Sequence, residues 1–287
     1  MSDFILLTDS ACDLKPEVLN EWGVKFINLS FHFEGEEKEY SNDEMDIKTF
    51  YDRMRKGETA KTSAINPETF SHRFEELLSE GRDILYIGFS SGLSTTFNSA
   101  IIAADELEAK YPERKIICVD SLCASAGQGL LVYLALQKKN AGATIEETAK
   151  FTEDNVLSLC HWFTVDDLVY LKRGGRISPT VAIVGGILGI KPILHVDNEG
   201  KLVNVSKVRG RKASLNALLD KYGELAENKQ GTVYISNADC HEDVSYLKTQ
   251  FKERYNAEVE IVTDIGPVIG AHSGPGTMAV FFLGKER

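Results

Sequence analysis

The sequence predicts an α/β protein of two domains, with a parallel sheet in the N-terminal domain and a mixed or antiparallel sheet in the C-terminal one. A length of 287 residues suits two modest domains. In the first half, short runs rich in β-branched and aromatic residues alternate with amphipathic stretches, as in βα units. In the second half, two such runs flank Asp197-Asn-Glu-Gly200, a turn signal typical of hairpins. We place the domains at residues 1–160 and 161–287.

The first half contains four predicted strands and three predicted helices. Asn66 is a favourable N-cap for the first helix and Pro67 suits its first turn. In the second helix, Phe97, Ile101 and Leu107 fall on one face. The strands are predicted at residues 4–8, 24–29, 84–89 and 115–119, and the helices at 67–80, 94–110 and 124–139.

The second half mixes a hairpin with further helices. Residues 180–190 have the pattern of a buried helix interrupted by glycines, and residues 266–277, with four glycines and two prolines, are predicted to form a loop. The hairpin strands are predicted at 192–196 and 202–208, later strands at 233–236, 258–262 and 278–283, and helices at 211–222 and 242–255.

Composition excludes several classes of function. The net charge of -11 argues against nucleic-acid binding and against simple adsorption to anionic lipid. No basic leader and no apolar run of membrane-spanning length is present. Five scattered cysteines without a C-x-x-C pattern indicate free thiols in a reducing cytoplasm and no metal site. The sequence therefore predicts a cytoplasmic protein without a metal.

Hydroxyl-rich segments are the first candidate ligand site. Residues 88–99 follow a strand and open a helix, so hydroxyls and free backbone N–H groups could hold an anion there. An ordinary turn with Ser94 as the helix N-cap is the alternative. Thr62 and Ser63 form a polar loop before another helix, where a structural role is the simpler interpretation.

The remaining polar motifs also have two interpretations each. Asp9 and Asp13 follow the first strand, and turn or capping roles fit them better than metal binding. His272 and Ser273 lie in the late glycine-rich loop. The backbone of this loop could approach a ligand closely, or the loop could simply be exposed to solvent. Two basic clusters, at residues 171–177 and 207–212, are either docking surfaces or solvated charges. No G-x-S-x-G, H-E-x-x-H or G-x-G-x-x-G pattern occurs, so binding fits better than catalysis.

Taken in order, these motifs resemble the DegV family of fatty-acid-binding proteins, over nearly the whole chain. Two departures occur: Ala64-Ile65-Asn66 stands where the family usually has Gln-Pro-Ser, and Thr95 stands where it usually has glycine. The marks of the family are Thr8-Asp-Ser10, Thr62-Ser63, Ser90-Ser-Gly-Leu-Ser94, Asp120-Ser121 with Gly127-Gln-Gly129, Leu171-Lys-Arg-Gly-Gly-Arg-Ile177 and Gly270-Ala-His272.

The resemblance implies a carrier that performs no chemistry itself and needs no cofactor. It implies that a long-chain fatty acid is buried in the protein and that its carboxylate is phosphorylated by the catalytic subunit of a fatty acid kinase. The acyl phosphate then enters phospholipid synthesis through an acyltransferase. No nucleic acid is involved, and transient membrane contact is allowed.

The resemblance also implies residue roles. Thr62, Ser94 and His272 hold the carboxylate, which would then need no buried arginine. Arg173 matches a family surface residue linked to docking of the kinase, and the sequence context predicts that Arg209 and Arg211 also face outward and help to dock the kinase. Further predicted pocket residues are Ser63, Ser91, Gly92, Thr95, Gly270 and Ala271.

Two other functions stay open at this point. One is a hydrolase of a small ester or acyl substrate that uses Ser94 or Thr62 with His272. The other is a phosphotransfer domain in which His272 itself carries phosphate. No catalytic motif in the sequence assigns a catalytic residue to either function.

Overall fold

The computed structural model describes residues 4–178 and 189–287. Within these ranges the helices are α1 (Pro16–Glu21), α2 (Ile47–Arg55), α3 (Pro67–Leu78), α4 (Thr96–Lys110), α5 (Ala126–Asn140), α6 (Ile145–Val156), α7 (Val169–Arg173), α8 (Arg211–Leu225), α9 (His241–Tyr255) and α10 (Pro267–Ser273). The strands are β1 (Phe4–Asp9), β2 (Lys25–Ile27), β3 (Ser30–Phe33), β4 (Tyr40–Ser41), β5 (Ala60–Ser63), β6 (Asp83–Gly88), β7 (Ile116–Asp120), β8 (Leu159–Thr164), β9 (Ile190–Val196), β10 (Leu202–Arg209), β11 (Val233–Asn237), β12 (Val259–Asp264) and β13 (Met278–Leu283).

A four-stranded parallel sheet organises the N-terminal half, with strand order β2-β1-β6-β7. All six residues of β1 are buried, because helices cover both faces of the sheet. Ile5 and Leu7 share a core with α3 and α4, whereas Phe4 and Leu6 share one with α5 and α6. The predicted parallel α/β domain is confirmed.

A six-stranded mixed sheet organises the C-terminal half, with strand order β10-β9-β8-β13-β11-β12. Only β11 and β12 pair in parallel, and β9 and β10 form the predicted hairpin around residues 197–200. Trp162 and Val280 face α8 and α9, while Phe163 and Ala279 face the opposite side. The predicted mixed sheet is therefore confirmed, and its second face is turned toward the N-terminal half.

A small antiparallel sheet, with strand order β4-β3-β5, was not predicted. Its strands have two to four residues each, too short for a clear alternating pattern. Thr62 and Ser63 belong to β5, so the prediction of a loop at these residues is wrong. The sheet packs with α2 around Phe31, Phe33 and Phe50.

Two further predictions need correction. Residues 267–273 of the predicted late loop form α10, with Pro267 in its first turn. In α4, the buried face is centred on Ala100 and Ala103, because small side chains let the helix approach the sheet closely, while Ile101 is only partly buried. The predicted helix at residues 180–190 falls almost entirely outside the described residues. The boundary at residue 160 stays a prediction, although β8 already begins at Leu159.

The described ranges contain no helix that is long and apolar enough to cross a membrane.

Arg287 ties several segments together through its guanidinium group. It donates to the carbonyl oxygens of Val156 (2.8 Å), Leu159 (3.0 Å), Leu122 (2.8 Å) and Asp197 (2.9 Å). These acceptors belong to the end of α6, the start of β8, the β7–α5 connection and the β9–β10 turn. One side chain thus joins the loops of the N-terminal half to the hairpin of the C-terminal half.

We expect Arg287→Met to lower the free energy of unfolding by about 2–3 kcal/mol, because hydrogen bonds from a charged donor are lost and carbonyls are left without partners. Urea unfolding followed by tryptophan fluorescence measures the change. Lys285→Met is the matched control, since the Lys285 side chain is exposed. Equal stability of the two variants would contradict the assigned role.

Candidate ligand-binding site

A cavity of about 400 Å³ lies between the parallel sheet and the six-stranded sheet. Most of its lining surface is apolar, as in typical pockets for small molecules. The N-terminal half contributes Leu29, Phe89 and Ala124, and the C-terminal half contributes Phe163 and Ala279. The cavity therefore exists only because the two halves pack together.

One end of the cavity carries a polar cluster of three side chains from three segments. Thr62 Oγ1 of β5 lies 2.8 Å from His272 Nε2 of α10. Arg176, which follows α7, also lines the cavity, and its guanidinium group hydrogen-bonds the carbonyl of Gly174. Arg176 has no carboxylate partner among the described residues, although it is partly buried.

The position of His272 is set by tight packing of α10. The N-terminus of this helix is held where Asp13 Oδ1 accepts from Gly266 N (2.9 Å) and Asn42 Oδ1 accepts from Val268 N (2.8 Å). Gly174 lies directly against the imidazole, since a Cβ atom there would be 2.1 Å from His272 Nδ1. A larger residue at position 174 would displace the ring.

The electrostatic surroundings keep His272 neutral. Burial, and then the positive charge of Arg176, lower the pKa of His272 to about 4. Burial also lowers the pKa of Arg176, which nevertheless stays charged at neutral pH. Burial raises the pKa of Asp13 to about 7, against hydrogen bonds from Ser125 and Gly266. The polar end thus has one net positive charge, on Arg176.

The loop between β6 and α4 forms the mouth of the cavity. Ser94 lines it, with Ser94 Oγ 2.9 Å from Thr96 Oγ1. Ser91 and Thr95 also line the cavity and are exposed, so they mark its rim. Ser90 Oγ donates to the carbonyl of Gly200 (2.8 Å), which fastens the β9–β10 turn over this loop.

A second hollow, of about 240 Å³, meets the polar cluster from outside. It shares Thr62, Arg176 and His272 with the main cavity and is also lined by Arg173 and by a salt-bridged pair, Lys61 and Glu34 (2.8 Å). An anion at the polar cluster is therefore reachable from the apolar cavity on one side and from the basic hollow on the other.

Comparison with known proteins identifies the family. A family model described as "Uncharacterised protein, DegV family" matches residues 3–285. The chain belongs to the DegV family. The resemblance drawn from the ordered motifs is confirmed.

Relatives and solved structures agree with this assignment. A DegV domain-containing protein of Clostridium perfringens is 42% identical over 289 residues, which cover 100% of this chain and 99% of the relative. A DegV family protein from Thermus thermophilus, whose structure concerns fatty acid binding, has a TM-score of 0.87 at 29% identity and covers 98% of this chain and 99% of its own. The fatty acid kinase B3 protein of Streptococcus pneumoniae, loaded with linoleic acid, shares the fold with a TM-score of 0.85 at 20% identity, over 98% of this chain and 99% of its own.

The structure brings together most of the residues predicted for the pocket of this DegV family member. Thr62, Ser94 and His272 all line the cavity, as do Ser63, Ser91 and Thr95. Their roles in binding a carboxylate stay predictions. Ala64, at one departure from the family pattern, and Thr95, at the other, are exposed lining residues, so both departures lie at the mouth.

Three predicted pocket residues lie elsewhere. A Cβ atom on Gly92 would be 2.5 Å from the carbonyl oxygen of Glu199, and one on Gly270 would be 2.4 Å from the Tyr51 hydroxyl. These glycines permit close packing of the hairpin turn and of α10 and do not line the main cavity. Ala271 lines the outer hollow instead.

Arg176 is the functional candidate that the sequence did not single out. The expectation that the head group needs no buried arginine stays a prediction, although Arg176 lines the cavity beside His272. The motif at residues 171–177 contains both Arg173 and Arg176, and sequence alone does not show which guanidinium turns inward. His161, Phe163 and Ser125 were also not predicted to line the cavity.

The basic residues predicted to face outward differ from one another. Arg173 is exposed and donates to Thr59 Oγ1 (3.0 Å), and Arg209 is exposed at the end of β10. Arg211 is partly buried and forms a salt bridge to Asp243 of 2.7 Å. The prediction that Arg211 faces outward is therefore wrong, because its charge is already paired inside the C-terminal half.

The arrangement around His272 differs from a hydrolytic triad. In a triad, the second imidazole nitrogen is held by a carboxylate. Here His272 Nδ1 is buried and has no hydrogen-bond partner within residues 4–178 and 189–287, and Ser94 Oγ pairs with Thr96. The residues that the structure describes also contain no group of three His, Cys, Asp or Glu side chains placed to hold a metal ion.

The low pKa of His272 makes stability pH-dependent. The unfolded chain takes up this proton near pH 6.5 and the folded lipid-free protein only near pH 4, so the neutral imidazole favours folding fully above pH 6.5. We expect this contribution, about 3 kcal/mol, to be lost as the pH falls from 6.5 to 4. Urea unfolding over this range should show a shallower decline for His272→Gln. Parallel curves for the two proteins would contradict the assignment.

Proposed function

We propose that the protein binds a long-chain fatty acid, with the acyl chain in the main cavity and the carboxylate at Thr62, Arg176 and His272. The observation that carries this proposal is an apolar cavity whose polar end has a guanidinium group without a carboxylate partner in the described ranges. An amphiphile with an apolar tail and one negative charge complements both parts. The fatty acid binding reported for the Thermus thermophilus relative supports the same ligand class.

Elementary energetics favour this ligand. Burial of an acyl chain contributes about 0.8 kcal/mol for each methylene. A buried carboxylate is costly unless it is paired, and Arg176 supplies the opposite charge with strong, charge-assisted hydrogen bonds. The acyl chain of the ligand provides affinity, and the polar cluster fixes the direction in which the fatty acid lies.

The neutral imidazole orients the hydroxyl of Thr62. If His272 carries its proton on Nε2, it donates to Thr62 Oγ1 across the 2.8 Å contact. The proton of Thr62 then points to a carboxylate. Ser94 Oγ, in the loop between β6 and α4, accepts a hydrogen bond from Thr96 N (3.2 Å). Its own hydroxyl proton can therefore be donated to the same carboxylate. His272 acts in this scheme by holding a neighbour in place.

The outer hollow suits presentation of the carboxylate to a kinase subunit. A phosphoryl donor must reach the carboxylate from a side that the acyl chain does not occupy, and the hollow meets the polar cluster there. Lys61 is paired with Glu34 on the same rim (2.8 Å), so Arg173 gives the rim its net positive charge, which favours approach of phosphate groups. We place this reaction in the cytoplasm, with the chain as the carrier and the acyl phosphate passed to an acyltransferase for phospholipid synthesis.

A hydrolase remains the weaker candidate, since no observation favours it. No carboxylate in the described part of the chain orients His272, and its Nε2 is already paired with Thr62. The same pairing and the low pKa of His272 disfavour a phosphohistidine.

The purified protein should carry about one fatty acid per chain. Native mass spectrometry, followed by organic extraction, gives the stoichiometry and the mass of the lipid. Ala279→Phe, which fills the cavity from β13, should reduce occupancy while circular dichroism confirms the fold. A wild-type protein that is lipid-free and also fails to bind added palmitate or oleate would refute the proposed function.

Arg176→Met should weaken palmitate binding roughly tenfold to a hundredfold, because a charged hydrogen bond to the carboxylate is lost. Binding of methyl palmitate should change little, since the ester has no charge to pair. Phosphorylation by the kinase subunit should fall in parallel. Arg209→Met, which changes an exposed arginine of β10, is the control for the two binding affinities. An unchanged ratio of palmitate to methyl palmitate affinity would place the head group elsewhere.

A further inference from the structure

A histidine lies deep in the cavity, far from the polar cluster. His161 of β8 lines the cavity and is only 5% exposed. Its ring packs against Phe163, with centroids 5.5 Å apart, and against Phe281, with centroids 4.5 Å apart. An imidazole is thus fixed between aromatic rings in a region where an alkyl chain alone would need no polar partner.

One nitrogen of this imidazole is left for a ligand. Cys123 Sγ lies 3.5 Å from His161 Nδ1, and this contact fixes the plane of the ring. His161 Nε2 has no hydrogen-bond partner among the residues that the structure describes. Burial lowers the pKa of His161 well below its usual value, so the ring is neutral. A neutral imidazole nitrogen in an apolar cavity is costly to leave unpaired.

The register of the sheet places His161 beside the distal half of a long acyl chain. Thr277 Oγ1 donates to the carbonyls of Ser273 (2.9 Å) and Gly274 (2.8 Å), so Thr277 marks the end of the cavity near His272. His161 pairs with Phe281, and β13 begins at Met278, directly after Thr277. The three steps from Met278 to Phe281 advance about 10 Å along the strand, which exceeds the reach of any group next to the carboxylate.

We propose that His161 is a specificity-determining residue that hydrogen-bonds a hydroxyl group on the distal half of the acyl chain. The proposal rests on fatty acid binding in the orientation given above. A hydroxyl both donates and accepts, so it satisfies Nε2 in either tautomer of the imidazole. The ligand class is therefore long-chain fatty acids with a hydroxyl group beyond the middle of the chain, bound alongside unsubstituted ones.

The test compares ricinoleate, which carries such a hydroxyl, with oleate. In His161→Phe, a ring of similar size replaces the imidazole, and we expect the affinity for ricinoleate relative to oleate to fall about tenfold. His195→Phe is the matched control, because His195 stacks on Trp162 in the neighbouring strand pair and does not line the cavity. The relative affinity for α-hydroxypalmitate and palmitate should be the same in all three proteins.

A second measurement uses the wild-type protein and needs no variant to fold. Histidine-selective nitrogen NMR should show the His161 Nε2 signal shifting when ricinoleate replaces oleate, with the signal of His272 unchanged. An unshifted His161 signal, or an equal ratio of affinities in His161→Phe, would overturn the proposal while leaving fatty acid binding intact. A wild-type protein that binds neither oleate nor ricinoleate would overturn both proposals.

Discussion

The unpaired guanidinium group of Arg176 at the end of an apolar cavity is the constraint on which the site depends. A partly buried cation is costly without an anion, and the described residues supply only the carbonyl of Gly174. Burial, and then the same charge, lower the pKa of His272 and keep that ring neutral. The neutral ring can then hold Thr62 in one orientation. A ligand carboxylate completes this set of contacts.

Close packing of small residues makes the arrangement feasible. Because Gly174 has no side chain, the imidazole of His272 can pack directly against it. Gly270 likewise lets α10 pack against the Tyr51 hydroxyl. Asp13 and Asn42 hold the N-terminus of the same short helix. The cavity therefore has a rigid polar end, while the β9–β10 turn, fastened by Ser90 and Arg287, covers the opposite loops.

Polar groups at both ends give the cavity two kinds of recognition. In the proposed function, the Arg176 end binds the carboxylate and opens to the outer hollow, from which a phosphoryl donor would approach. The region around His161 is enclosed and neutral, so there His161 can recognise only a hydrogen-bonding group on the acyl chain. In the proposed scheme, presentation of the carboxylate and selection of the acyl chain are thereby assigned to residues in different parts of the cavity.

The sequence by itself determined the two sheets, the hairpin at residues 197–200 and the ordered motifs that mark the family, because these features depend on local periodicity, turn chemistry and residue order. It also indicated Thr62, Ser94 and His272, since hydroxyls and a histidine stood out in glycine-rich or helix-opening segments. Only the tertiary structure decided that Arg176 turns inward while Arg173 stays exposed, and that Arg211 is paired with Asp243. It alone joined His161 to the cavity and made residues 267–273 a helix. Each of these outcomes depends on contacts between segments far apart in the chain, and local patterns carry no information about such contacts.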